Sequence, residues 1–291
     1  MVSPRPHFHL ALPDGRSLIL GERTCVMGIL NVTPDSFAGG SPNDARMDPA
    51  RAIADAVQMV KDGAGVLDIG GESTRPGAPM LDAAEEWRRV KPVLEGLRGR
   101  IDVPISIDTY KAEIAEQAIA LGATIVNDIS GFAYDSALPG VVARSNAVAI
   151  LMHNRGRSAN IYEFAQYADV IGEIAGELGA RVDAAERAGV RRDRIILDPG
   201  YGFAKRAEHT LEAIARLDEL GARTGRPILS GPSRKSFLKI PLGDVPPAER
   251  VWGTAAAVTA SILAGAHIVR VHDVKEMAQV ARTADAIRNS Q

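Results

Sequence analysis

Short apolar runs recur along almost the whole chain, and each one stops at a polar residue with usable chemistry. The run 25–30 ends at Asn31, the run 65–69 leads to Glu72 and Arg75, and 104–107 ends at Asp108. The run 123–126 ends at Asn127 and Asp128, 147–152 at His153, and 194–197 at Asp198. The last two, 227–229 and 266–269, open on Ser230 to Lys235 and on Arg270 and His272. Each run is strand length. The segments between them, 49–61, 83–97, 111–121, 167–188, 210–220, 249–264 and 274–287, carry apolar residues at helical spacing. Asp48-Pro49 is a helix start, and Gly122, Gly221 and Gly265 are helix stops. About eight strands alternating with helices predict a parallel sheet closed into a (β/α)₈ TIM barrel, whose active site forms at the C-terminal strand ends.

Ahead of the barrel, residues 7–12 and 17–20 flank Pro13-Asp14-Gly15. That pattern predicts an N-terminal β-hairpin able to cover the barrel bottom, with His7 and His9 as surface residues. No linker or low-complexity stretch interrupts the series. The expectation is one domain over 1–291, with a hairpin at 1–22 and a barrel at 23–291. The loops 33–48 and 70–82 are long and rich in Gly, Pro and Ser, as lids over a barrel mouth are.

Composition narrows the chemistry. A net charge of −2 leaves no electrostatic footprint for nucleic acid or an acidic membrane. The single cysteine, Cys25, excludes an internal disulfide and a cysteine metal site and fits a reducing, cytoplasmic setting. It sits inside the first apolar run, as a buried structural thiol does. No run has the form of a signal peptide or a membrane span.

Taken together, the polar strand ends divide into two sets. Asp108, Asn127 and Asp198, from three strands, offer the acceptors and donors that suit an amidine-like heterocycle edge such as a pterin or purine. Each alone would serve equally well as a helix cap. Arg75, Arg234, Lys235, Arg270 and His272 form a cationic set, of which Lys235 and Arg270 fall where barrels hold phosphate. The stretch Ser230-Gly-Pro-Ser-Arg-Lys-Ser236 adds amides to it. Asn31 is neutral and suits a hard cation such as Mg²⁺, with Asp35, Asp68 and Glu72 near enough in sequence to hold its waters. No nucleophile–base pair stands out: Ser36, Ser73 and Ser233 lack an obvious histidine partner, and His153 could serve as a base, although a histidine at a strand end is more often a structural hydrogen-bonder. Displacement helped by metal and positioning is therefore favoured over covalent catalysis.

The motifs Met27-Gly-Ile-Leu-Asn-Val-Thr-Pro-Asp-Ser-Phe37, Asp68-Ile-Gly-Gly-Glu-Ser-Thr-Arg-Pro-Gly77, Ser106-Ile-Asp-Thr109 and Val126-Asn-Asp-Ile129 occur in this order. Asp198-Pro-Gly-Tyr-Gly-Phe203, Ser233-Arg-Lys-Ser236 and Arg270-Val-His-Asp273 follow. From about Thr24 onward the chain resembles the dihydropteroate synthase family of pterin-binding enzymes. The resemblance implies condensation of 6-hydroxymethyl-7,8-dihydropterin diphosphate with 4-aminobenzoate to 7,8-dihydropteroate, with Mg²⁺ and a dissociative displacement. It also implies a cytoplasmic homodimer of folate biosynthesis and a sulfonamide target.

On that resemblance Asp108, Asn127, Asp198 and Lys235 would hold the pterin, with Ile129, Met152 and Phe203 along the ring faces. Asn31, Arg75, Arg270 and His272 would take the diphosphate, with the metal on Asn31. Phe37, Thr74, Arg75, Pro76, Arg234 and Ser236 would shape the aminobenzoate pocket. Catalysis would rest on Lys235, Arg270, Asp108 and Asp198. One loop departs from the family pattern: relatives commonly read Ser-Phe-Ser-Asp-Gly-Gly where this chain has Ser36-Phe37-Ala38-Gly39-Gly40. A looser closure of that loop is expected, unless Asp44 substitutes for the missing acid. A corrinoid methyltransferase acting on methyltetrahydrofolate would share the pterin contacts but would not need the Ser-Arg-Lys-Ser and Arg-Val-His set. A non-catalytic pterin-binding paralogue would have lost a member of the Asn31, Arg75, Lys235, Arg270 group.

Overall fold

The computed structural model describes residues 5–33, 48–73, 80–156 and 161–290. Phe37, Thr74, Arg75 and Pro76, with the first-loop departure at Ala38, Gly39 and Asp44, lie outside them. The first two strands, β1 (Phe8–Ala11) and β2 (Ser17–Leu20), pair antiparallel around Pro13-Asp14-Gly15. Gly15 takes a φ of 85°, a left-handed turn position that suits glycine.

Eight parallel strands then follow: β3 (Cys25–Asn31), β4 (Val66–Gly70), β5 (Ile105–Asp108), β6 (Ile125–Asp128), β7 (Val148–Met152), β8 (Ile195–Asp198), β9 (Leu229–Ser230) and β10 (Ile268–Val271). Their order is β8-β7-β6-β5-β4-β3-β10-β9. A parallel bridge between Leu197 and Ile228 joins the two open ends and closes the barrel. The predicted barrel and its hairpin are both present.

The hairpin plugs the N-terminal end. Leu10, Leu12, Leu18 and Leu20 pack into one cluster with Val66, Ile125, Val148, Ile196, Leu229 and Ile268, the inward-facing residues of six barrel strands. A second apolar cluster lies between the outer faces of the strands and the helices. His7 and His9 are exposed, as expected. Cys25 is partly covered in β3, and burial pushes its thiol up to about 12, so it remains protonated.

The helices are α1 (Pro49–Lys61), α2 (Ala83–Leu97), α3 (Ala112–Ala120), α4 (Leu138–Ser145), α5 (Val170–Arg187), α6 (Ala207–Ala215), α7 (Leu217–Thr224), α8 (Lys239–Leu242), α9 (Val251–Leu263) and α10 (Val274–Asn289). Asp48 and Asp82 cap α1 and α2, accepting from Ala50 N at 2.9 Å and Glu85 N at 2.7 Å.

Two departures from the sequence pattern have visible causes. The apolar periodicity over 210–220 reads as one helix, but the chain breaks at Arg216 into α6 and α7. The Arg216 side chain ties the break by pairing with Glu212, Glu219 and Asp169. Helix α4 was not foreseen because Pro139 and Gly140 stand in its first turn, where proline is tolerated. Asp135 starts α4 and α3 together, accepting from Ala137 N at 2.9 Å and from Ala112 N at 2.8 Å.

Candidate active site

At the C-terminal mouth the predicted strand ends meet. Asp108 ends β5, Asn127 lies one residue before the end of β6, and Asp198 ends β8. Asn127 and Asp198 are buried. None of the three sits where a helix cap would be. Lys111 stands at the start of α3, and Ala112 N bonds Asp135 rather than Asp108. Gly70 of β4 is in register with Asp108, and a Cβ there would meet Asp108 Cβ at 3.3 Å. The glycine of the second motif thus leaves room for the acid beside it.

Arg270 ties these groups together. Its Nε donates to Asp68 Oδ2 at 2.6 Å and its Nη2 to Asp108 Oδ2 at 2.6 Å. Asn127 Nδ2 donates to the same Asp68 oxygen at 3.0 Å. An arginine assigned to the anion set is thus held by acids of the pterin edge, and the two sets share one network. Asp68 is fully buried with its Oδ1 unpartnered. Glu72 is taken by Lys111 and by Tyr110 OH at 2.9 Å, and Lys111 also pairs with buried Glu86. Of the three acids suggested as holders of magnesium's waters, Glu72 is therefore occupied by protein donors, and Asp68 keeps only Oδ1 open. The third, Asp35, lies outside the described residues.

The charges are strongly perturbed. Burial pushes Asp108 up to about 7, aided by the carboxylates of Asp68, Glu86 and Asp128 and opposed by Arg270. Burial likewise raises Asp198, against the pull of Lys235. Burial brings Lys235 down to about 8; Asp198 works against that shift and Arg270 with it. For Arg270 burial works downward, but Asp68 and Asp108 outweigh it and hold the guanidinium above its ordinary range. A cleft with two raised carboxyls and a depressed lysine has the marks of a functional site.

The loop after β8 supplies the rest. Asp198 Oδ1 accepts from Gly200 N at 2.7 Å. Lys235 Nζ donates to the Tyr201 carbonyl and lies 4.7 Å from the centre of the Phe203 ring. Met152 ends β7 and is buried; Ile129 follows β6 and is half-buried. On the other side His272 Nδ1 meets Ser233 Oγ at 3.0 Å, and the His272 amide donates to that hydroxyl at 3.2 Å. Sequence reasoning found no histidine partner for Ser233 because 39 residues separate them. The expectation that Ser233 lacks a histidine partner is corrected: the two side chains meet at hydrogen-bond distance.

Arg234, with a φ of 58°, pairs with Asp273, its Nε 3.0 Å from Oδ2, so its planar group is already engaged. Ser236 is exposed at the start of a short 3₁₀ turn, Ser236–Leu238. Asp128 ends β6 and organises the loop that follows: its buried carboxylate accepts from Ser130 N and Phe132 N, each at 2.7 Å. His153 is fully buried and hydrogen-bonded, with Nε2 3.1 Å from Glu177 Oε2. Its other partner, buried Lys205, was missed. The available signal was a lysine in the same post-strand loop as Asp198.

Asn31 ends β3 at the mouth, half-buried. Among the described residues no three His, Cys, Asp or Glu side chains gather to hold a metal. The oxygen of Asn31, with the unpartnered Asp68 Oδ1 on the neighbouring strand, is a hard donor set. It fits a Mg²⁺ that keeps its waters and takes its other ligands from a bound diphosphate.

Residues 27–272 match the family described as pterin binding enzyme. The chain is 48% identical to the dihydropteroate synthase of Synechocystis sp., covering 97% of this chain and 96% of that one. It superposes with a TM-score of 0.89 on the Yersinia pestis dihydropteroate synthase solved with a sulfonamide drug, at 37% identity, covering 98% of this chain and 100% of that one. For the Xanthomonas albilineans dihydropteroate synthase solved with 4-aminobenzoic acid the TM-score is 0.88 at 36% identity, covering 97% and 99%. By sequence, fold and the groups assembled at its mouth, this chain belongs to the pterin-binding enzymes and, within them, to the dihydropteroate synthases.

Proposed function

We propose that this chain joins 6-hydroxymethyl-7,8-dihydropterin diphosphate to 4-aminobenzoate, forming 7,8-dihydropteroate and releasing diphosphate for folate biosynthesis. The observation that carries the reading is the convergence of Asp108, Asn127, Asp198 and Lys235 on one barrel mouth, with Arg270 bound to Asp108. In this reading the acids and the Asn127 amide take the amino-pyrimidine edge of the pterin, and Lys235 donates to its ring oxygen and nitrogen. Ile129, Met152 and Phe203 line the ring faces. Arg270, His272 and Asn31 face the diphosphate, joined by Arg75, and Arg234, Ser236, Phe37, Thr74 and Pro76 shape the aminobenzoate pocket.

The bond between the methylene carbon and the diphosphate oxygen breaks, and the aminobenzoate nitrogen bonds that carbon and gives up a proton. Asp108 and Asp198 stabilise the positive charge that builds on the pterin methylene. Arg270 and His272 stabilise the departing anion. A Mg²⁺ held by Asn31 and the diphosphate oxygens would neutralise leaving-group charge.

Two further parts of the reading rest on other features. Helix α9 carries no charged residue on any face, and its Trp252 is 79% exposed, which supports a homodimer packed through the outer helices. No helix among the described residues is long and apolar enough to cross a membrane, and the single free thiol suits the cytoplasm. The direct trial supplies both substrates and Mg²⁺ to the purified chain. Diphosphate release that vanishes in Lys235→Ala supports the reading; no release from the wild type overturns it.

A further inference from the structure

Behind the pterin wall lies a buried group that the proposed chemistry does not use. Lys205 is 1% exposed, and its Nζ lies 2.7 Å from His153 Nδ1 and 3.0 Å from the Phe203 carbonyl. Among the described residues no carboxylate hydrogen-bonds it. The His153 tautomer follows from the other side of the ring. Nε2 faces Glu177 Oε2 at 3.1 Å, so Nε2 carries the proton, and Nδ1 is left to accept from Lys205. Glu177 is in turn held by Arg155. A buried lysine without an acid partner is costly, and an apolar side chain would fill the space more cheaply.

The loop it touches explains the cost. Between Asp198 and Lys205 the backbone is left-handed at Gly200 (φ 69°), Gly202 (φ 76°) and Ala204 (φ 49°). Ala204 is buried and lacks glycine's freedom, so its conformation persists only if neighbours enforce it. Tyr167 OH donates to the Ala204 carbonyl at 3.0 Å, and Lys205 closes back on the Phe203 carbonyl. At the other end the His153 amide donates to the Asp198 carbonyl at 2.8 Å. A side chain at Gly200 would run into the His153 carbonyl.

We infer that Lys205 and His153 are positioning residues for the pterin site. Together they clamp the 198–205 loop in the shape that presents Asp198 at the mouth and sets the Phe203 ring against Lys235. His153 holds the loop's entry through its main chain and its exit through its ring, and Lys205 is the link between the two. The inference rests on the reading of this mouth as a pterin site, and its test separates the two ideas.

Lys205→Met removes the donor while keeping the length, and Lys205→Gln restores a shorter donor. Hydrogen exchange of the amides in 200–205, measured without ligand, reads the clamp directly. Titration calorimetry with the pterin diphosphate, and KM for each substrate, read its consequence. In Lys205→Met the loop amides exchange faster, pterin affinity falls about tenfold, and KM for aminobenzoate stays as in the wild type. Lys205→Gln falls between the two, and is read in its place if Lys205→Met does not fold. Wild-type exchange in the loop, or a loss of kcat with pterin affinity intact, overturns the inference. A wild type that binds no pterin overturns the pterin reading, while loop exchange still decides the clamp.

Discussion

Arg270 on β10 reaches Asp108 on β5, Nη2 to Oδ2 at 2.6 Å, across 162 residues of chain. Its Nε holds buried Asp68 at the same distance, and Asp68 in turn takes the amide of Asn127. One carboxylate oxygen thereby orients both an arginine and an asparagine assigned to substrate contacts. The buried acid at the centre of this arrangement is the group whose removal is most informative.

Asp68→Asn keeps the shape and one acceptor but removes the charge facing Arg270. Breaking a buried ion pair costs about 3–5 kcal/mol, and here Arg270 keeps Asp108, so a loss of about 2–3 kcal/mol in unfolding free energy is expected. Because a neutral amide oxygen holds Arg270 and Asn127 less firmly than a carboxylate, kcat/KM for the pterin diphosphate should fall about 100-fold, a loss of ~2.7 kcal/mol in transition-state stabilisation. Steady-state rates with wild-type kcat/KM would show that Asp68 is not what orients the two residues.

Lys235 gives the site a pH signature. Burial lowers its pKa to about 8, so the ammonium is charged at neutral pH and lost as pH rises through that value. A donor to the pterin must keep its proton, so kcat/KM should drop along an alkaline limb centred near pH 8. Lys235→Arg keeps a charge that does not titrate in this range. The limb should then disappear, even if the rate is lower throughout. An identical limb in the arginine variant would assign the ionisation to another group.

The barrel and much of its mouth were legible because a strand-ending polar residue needs only one inference to be placed: in a barrel, all such ends face one rim. Asp108, Asn127 and Asp198 follow from that rule. The partners Arg270–Asp68, Lys205–His153 and Ser233–His272 were not legible, since they lie 202, 52 and 39 residues apart and meet only when the barrel closes. Local sequence carries no trace of such closures. Periodicity also failed at Arg216, where an apolar stripe runs on through a backbone break, and at α4, where Pro139 and Gly140 read as a turn.

The hairpin plug should matter for stability and little for chemistry. Leu20 is fully buried among inward-facing strand residues at the end opposite the mouth. Leu20→Ala leaves a cavity there and should cost about 2–5 kcal/mol in urea unfolding. Both KM values should match those of the wild type at temperatures where the variant is folded. A changed KM would mean that the plug is coupled to the mouth through the barrel interior.

His267 provides a stability switch far from the substrates. It is 2% exposed, its Nδ1 accepts from Ile228 N at 3.1 Å, and its Nε2 faces the Pro6 carbonyl at 3.1 Å. Burial, with Arg5, Arg288 and His7 nearby and the Pro6 carbonyl opposing, lowers its pKa to about 4. The folded value lies below the unfolded one of about 6.5, so the unfolded chain binds the extra proton between them. The stability His267 contributes is therefore full above pH 6.5 and is lost as pH falls toward 4, by up to about 3 kcal/mol. The raised carboxyls Asp108, Glu86 and Asp128 act in the opposite sense, so the wild-type curve alone does not isolate the histidine. Comparison with His267→Gln does, because those carboxyls are common to both proteins and cancel. The wild-type advantage over the variant, from urea titrations at pH 7.5 and 4.5, should shrink by about 2 kcal/mol at the lower pH. An advantage that is the same at both values would mean that His267 does not titrate in this window.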